Sequence, residues 1–186
     1  MDYRGISRSM LVLLAFFALQ HNSWAQDYYR MEDGVIHFKP DAPLELIEAS
    51  SNNLRGLINP KDNTFAFAIK INTFQGFNSP LQREHFNENY MESRKYPEAT
   101  FSGRIIEGVD LSQPGKYTIR AKGKLNIHGV EQERIIKSEV VSSDGHLGLT
   151  SSFTVLLEEH NISIPKIVYQ KIAEEIQVEI RATLLK

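Results

Sequence analysis

Residues 116–129, KYTIRAKGKLNIHG, constrain the fold more than any other stretch of the chain. Every second residue from Tyr117 is apolar or small: Tyr117, Ile119, Ala121, Gly123, Leu125 and Ile127. Between them stand Thr118, Arg120, Lys122, Lys124, Asn126 and His128, all polar. A strand sends successive side chains to opposite faces, so this is one long strand with a wet face and a dry one.

The same period returns along the chain. Phe65, Phe67, Ile69 and Ile71 form one set, and Phe101, Gly103 and Ile105 another. Leu147, Leu149, Phe153, Val155 and Leu157 continue it, interrupted at Ser151. Ile176, Val178, Ile180, Ala182 and Leu184 close it. Weaker strands fit residues 35–38, 44–50, 54–59 and 135–141, with turn signals at NPKDN, DLSQPGK and SSDG. The count is eight or nine half-buried antiparallel strands.

Helices are few. Ser79 can cap, Pro80 suits a first helical position and Gln82 completes a capping box. That helix is expected to run through Phe86 and Tyr90 to about Glu92, before Tyr96-Pro97. A second is expected after Ile164-Pro165, with Ile167, Val168 and Ile172 on its apolar side. Two short helices cannot cover a large sheet. An all-β chain of this size must close its sheet into a barrel or fold it into a sandwich.

The first residues stand apart from this pattern. Arg4 and Arg8 precede an apolar run over residues 10–19, and Ser23 and Ala25 are small residues at cleavage spacing. This reads as a secretory signal over 1–25, since the run falls well short of the ~20 residues a membrane span needs. The expectation is cleavage near Ala25, a single domain over residues 26–186, and a periplasmic or secreted location.

The formal net charge of −2 and the mixed signs offer no footprint for nucleic acid or anionic lipid heads, nor for stable membrane insertion. There is no cysteine, which excludes disulfides, thiolate metal sites and a cysteine nucleophile.

Chemistry is sparse. His85-Phe86-Asn87-Glu88 begins like an H-x-x-E-H zinc helix, but Asn89 replaces the second histidine. Glu158-Glu159-His160 reads as a surface turn before Asn161 and Ser163. No nucleophile elbow, P-loop or dinucleotide fingerprint occurs, so neither cofactor nor metal is expected. His128 precedes Gly129 at a bend, where bonding to a neighbouring backbone group explains it better than catalysis.

Four segments in order resemble the YceI-like proteins, bacterial exported polyisoprenoid-binding proteins. LNIHGV at 125–130 is similar to the family's L-T-x-H-G-V, and HFNENYMESRKYPEATFSGRI at 85–105 to its helix, Y-P-x-x-x-F and strand. NTFQGFN at 72–78 falls where members carry a polar link, and NISIPKIVYQKIAEEIQVEI at 161–180 resembles the I-x-x-P turn and closing strand. Departures are Asn126 for threonine and the poorly alternating EQERIIKSE at 131–139.

The resemblance implies an extended eight-stranded antiparallel barrel, lipocalin-like, with one or two short helices. It implies a lumen that holds a long apolar chain, a polyisoprenoid or isoprenoid quinone, and no catalytic residues. Expected lumen residues are Phe65, Phe67, Ile69, Phe101, Gly103, Ile105, Tyr117, Ile119, Ala121, Gly123, Leu125, Phe153, Val155, Ile176 and Val178. The expected partner is an apolar isoprenoid lipid, and a homodimer is compatible with the sequence. Small residues on this phase (Gly103, Ala121, Gly123, Ala182) leave room for a tail if they cluster, or relieve crowding at bends if they do not. Two rivals remain: an interaction or adhesion module with a filled core, and a barrel enzyme, for which no acid–base pair is evident.

Overall fold

A computed structural model describes residues 28–40, 47–163 and 175–186. Its strands are β1 (Tyr29–Pro40), β2 (Ala49–Ser51), β3 (Arg55–Asn59), β4 (Thr64–Lys70) and β5 (Glu98–Ile105). They continue with β6 (Gly115–Ile127), β7 (Val130–Ser143), β8 (His146–Leu156) and β9 (Glu175–Leu185). Each pairs antiparallel with its neighbour, and β1 returns to β9 from Arg30↔Leu185 to Pro40↔Ile176. β2 and β3 both pair with β1, at Ile36–Phe38 and at Tyr29–Arg30, so they are two pieces of one interrupted strand. The sheet is therefore a closed eight-stranded antiparallel barrel.

Local chemistry explains the corners. His128-Gly129 (φ +53° and +74°) and Asp144-Gly145 (φ +46° and +80°) each put two left-handed residues between paired strands. That is the two-residue turn whose twist matches a hairpin. Before β4, Asn59 Oδ1 and Asp62 Oδ1 accept from the amides of Lys61 and Thr64, turning the chain.

The expected helix is α1 (Pro80–His85), widening into a π-helical turn over Phe86–Tyr90. Ser79 Oγ accepts from the Gln82 amide at 3.1 Å, and Gln82 Oε1 accepts from the Asn78 amide at 2.9 Å. The second expected helix lies outside the described residues.

One end of the barrel is packed solid. Tyr29, Leu111, Val140, Leu147 and Leu184 are all essentially inaccessible there. Leu111 comes from the β5–β6 loop, and its carbonyl accepts from Tyr29 Oη (3.3 Å) and Ser142 Oγ (2.8 Å). These bonds tie the loop across the barrel floor.

The weakly alternating segment at 131–139 lies within β7, whose burial alternates regularly. Its sequence misleads because Gln132 and Arg134 occupy the inward phase. β7 and β8 pair only over Ser138–Ser143 and His146–Ser151, and beyond that point they part. Arg134 bridges the gap, donating to Glu159 Oε2 at 2.8 Å and to the Thr154 carbonyl at 2.7 Å. Gln132 donates to the Glu159 carbonyl at 2.8 Å. Polar inward residues here satisfy backbone that a ladder would otherwise pair.

Candidate ligand-binding lumen

Above the floor lies a cavity of about 220 Å³. Its deep end is lined by Ile58, Phe65, Ile105, Ile119, Ala121 and Leu149. The far end is bordered by Pro40, Ile47, Leu157, Ile162 and Ile176. Among the described residues no charged side chain lines it, and the polar side chains on its wall are Tyr90, Thr100, Ser138 and Ser151. Such a space holds apolar matter by excluding water and cannot fix a charged head group.

Twelve of the fifteen expected lumen residues border this cavity: Phe65, Phe67, Ile69, Phe101, Ile105, Ile119, Ala121, Leu125, Phe153, Val155, Ile176 and Val178. Gly103, Tyr117 and Gly123 stand off it. Tyr117 Oη donates to the carbonyls of Gln113 (2.9 Å) and Asp110 (3.3 Å), bracing the floor loop. Gly103 and Gly123 face each other across β5 and β6. A Cβ on either would overlap the opposite backbone, so they provide close strand approach and not ligand space.

Period-two reading missed the residues that roof the lumen. Phe38, Phe74, Phe77 and Phe86 form one aromatic cluster, with Phe38 stacked on Phe86 at 5.4 Å and edge-on to Phe74 at 5.3 Å. Phe77 meets Phe86 at 5.0 Å. Phe74 and Phe77 come from NTFQGFN, read as a polar link, although Phe74 is buried. Two phenylalanines in seven polar-rich residues were the available signal. Met91 joins them on the cavity wall after the π-helical turn.

His128 holds this roof in place. Its Nε2 lies 2.8 Å from Glu92 Oε2, and its Nδ1 lies 3.1 Å from the His160 carbonyl. Tyr96 packs edge-on against the ring at 4.5 Å. The imidazole thus joins the helix end, the β6–β7 turn and the turn after β8. Glu92, His128 and Asn161 all adopt positive φ, so this junction gathers strained backbone that the contacts must offset. His85 and Glu88 are on the helix, and among the described residues no cluster of three potential metal ligands occurs.

A closed eight-stranded barrel either fills its interior with side chains or holds one small ligand, and this one keeps an apolar lumen with no charged lining among the described residues. The model of the YceI-like domain matches residues 37–184, and the chain belongs to that family. No curated protein matches the chain. Among solved structures it resembles a polyisoprenoid binding domain from Saccharophagus degradans implicated in plant cell wall breakdown. That likeness has a TM-score of 0.70 at 12% identity, covering 86% of this chain and 98% of that one. It also resembles the BcnA protein of Burkholderia cenocepacia (TM-score 0.67, 13% identity, 81% and 95% covered). The YceI protein of Campylobacter jejuni is similar too (TM-score 0.62, 13% identity, 77% and 87% covered). At these identities the likeness is one of fold.

Proposed function

We propose that this protein is an exported, non-catalytic carrier that holds an apolar isoprenoid chain in its barrel lumen. The carrying observation is the cavity, continuous from Ile119 and Leu149 to Ile176, with no charged side chain on its wall among the described residues. The polyisoprenoid-binding description of the Saccharophagus relative supports the ligand class. Affinity comes from apolar area: burying ~400 Å² at ~25 cal/mol per Å² contributes roughly 10 kcal/mol before binding entropy is subtracted. Discrimination among apolar chains of similar girth is weak for the same reason.

Size sets a limit. Ligand pockets commonly enclose about 300–1,000 Å³, and this lumen has about 220 Å³. It accepts a short isoprenoid, or the end of a long one whose remainder extends past Pro40 and Ile176. Residues 1–25 serve as the export signal and no cofactor besides the lipid is required.

Purified exported protein, extracted with organic solvent and weighed by mass spectrometry, should release an isoprenoid lipid in near-stoichiometric amount. Its intact mass should begin at Gln26. An extract without lipid selects the filled-core interaction module, and an intact Met1 on exported protein rejects the signal.

A further inference from the structure

One polar feature interrupts the deep wall of the lumen. Ser138 and Ser151 are register partners on β7 and β8, at the point where those strands part. Both line the cavity and are only 7% and 6% exposed. Ser138 Oγ lies 3.1 Å from Ser151 Oγ, and Ser151 Oγ lies 3.1 Å from the Lys137 carbonyl.

The direction of the two protons follows from the acceptors. The Lys137 carbonyl can only accept, so Ser151 donates to it. Ser138 then donates to Ser151, its acceptor among the described residues. Both hydroxyl protons are used, while among the described residues no donor meets Ser138 Oγ, which keeps its lone pairs. An acceptor without a donor is thereby presented inside an apolar wall.

We propose that Ser138 Oγ is a subsite for the hydroxyl of a neutral long-chain alcohol, which enters the lumen hydroxyl end first. The inference rests on the carrier reading and names the ligand's chemistry within it. Carbonyl and ether oxygens offer no proton to Ser138. A phosphate or carboxylate would meet no cation at this depth, because no charged side chain lines the cavity among the described residues. An alcohol satisfies itself and the serine together. The neighbours at this level are apolar, with Ile119 opposite Ser138 on β6 and Ile180 opposite Ser151 on β9. A bound hydroxyl therefore has few competing partners.

The test uses two probes of one skeleton on delipidated protein, farnesol and its aldehyde farnesal, with affinity measured by titration calorimetry. One hydrogen bond of ordinary net worth makes the alcohol roughly fivefold tighter. Ser138→Ala should bring that ratio to about one. Ser151 keeps its Lys137 acceptor in this variant, so an unchanged melting temperature is expected and serves as the fold control. A ratio near one in the unmodified protein, or a ratio that survives Ser138→Ala, overturns the subsite and leaves the carrier standing. Binding of neither probe overturns the carrier reading, and the subsite falls with it.

Discussion

Gly103 and Gly123 show how one residue type answers two different demands. Alternation puts both on the dry phase, where the absence of a side chain suggests room. In the barrel the opposite strand fills that room: a Cβ on Gly123 would overlap the Ser102 carbonyl and press on the Phe101 ring. Gly123→Ala should therefore cost about 1–3 kcal/mol or more, a melting-temperature drop of about 2–4 °C per kcal/mol. Gly108→Ala, where nothing lies within 4 Å, should be silent. Equal melting temperatures for the two variants would mean β5 and β6 do not approach closely there. His160 makes a second single-residue case. It is 1% exposed, and burial holds its imidazole below the ordinary value of 6.5. The Val130 and Ile127 carbonyls and Glu159 oppose that shift, while Arg134 adds to it. Below pH 6.5 the unfolded chain takes up a proton at His160 that the folded chain resists. The stability it contributes is complete above that pH and lost as pH falls towards the folded value. Urea midpoints at pH 8 and pH 5.5 should differ in this sense, and His160→Gln should narrow the difference.

At the scale of elements, β6 tests the facing of the sheet. Leu125 is 5% exposed and packs with Val155 and Val178, while Lys122 faces out and pairs with Glu133 at 2.9 Å. Leu125→Glu buries an unpaired carboxylate and should prevent soluble folding. Lys122→Glu loses an exposed pair worth about 0–1 kcal/mol and should shift a chemical melt only slightly. If both variants fold alike, the inward and outward phases are exchanged. The β6 pattern was legible because one face meets apolar neighbours along its whole length. β7 was not, since Gln132 and Arg134 point inward where its ladder with β8 has ended, and they replace missing backbone partners. β1 was legible only in part. Residues 35–38 alternate, yet the strand runs over Tyr29–Pro40 because β9 pairs with it from end to end. Pairing supplied by a distant strand leaves no local period. The roof escaped for a related reason: Phe74 and Phe86 reach the lumen from a 3₁₀ turn and a helix end, where period two carries no information.

Across the whole molecule, the two barrel ends divide the labour. The floor is knitted by Leu111, Tyr29 and Ser142 and contains no ligand space, whereas the roofed end borders the cavity through turns and helix. A filled core and a carrier would share this fold and differ in what the remaining 220 Å³ is for. Ala121 decides between them, because it lines the cavity midway along β6, opposite Ile105 and Ile136. Ala121→Phe adds a ring where the wall faces empty space. In a carrier that ring occupies the ligand's volume. Lipid recovered by solvent extraction should fall severalfold, while the delipidated variant stays folded and gains about 0.5–2 kcal/mol from filling the void. In a module that carries no ligand the same ring fills the void with a similar gain in stability, and there is no lipid to lose. Extractable lipid and the melting temperature of the delipidated protein must be measured together, since the lipid separates the two readings and the melting temperature shows that the ring has filled the void. Unchanged lipid in a stable Ala121→Phe variant would place the ligand outside the lumen and remove the central support of the carrier reading.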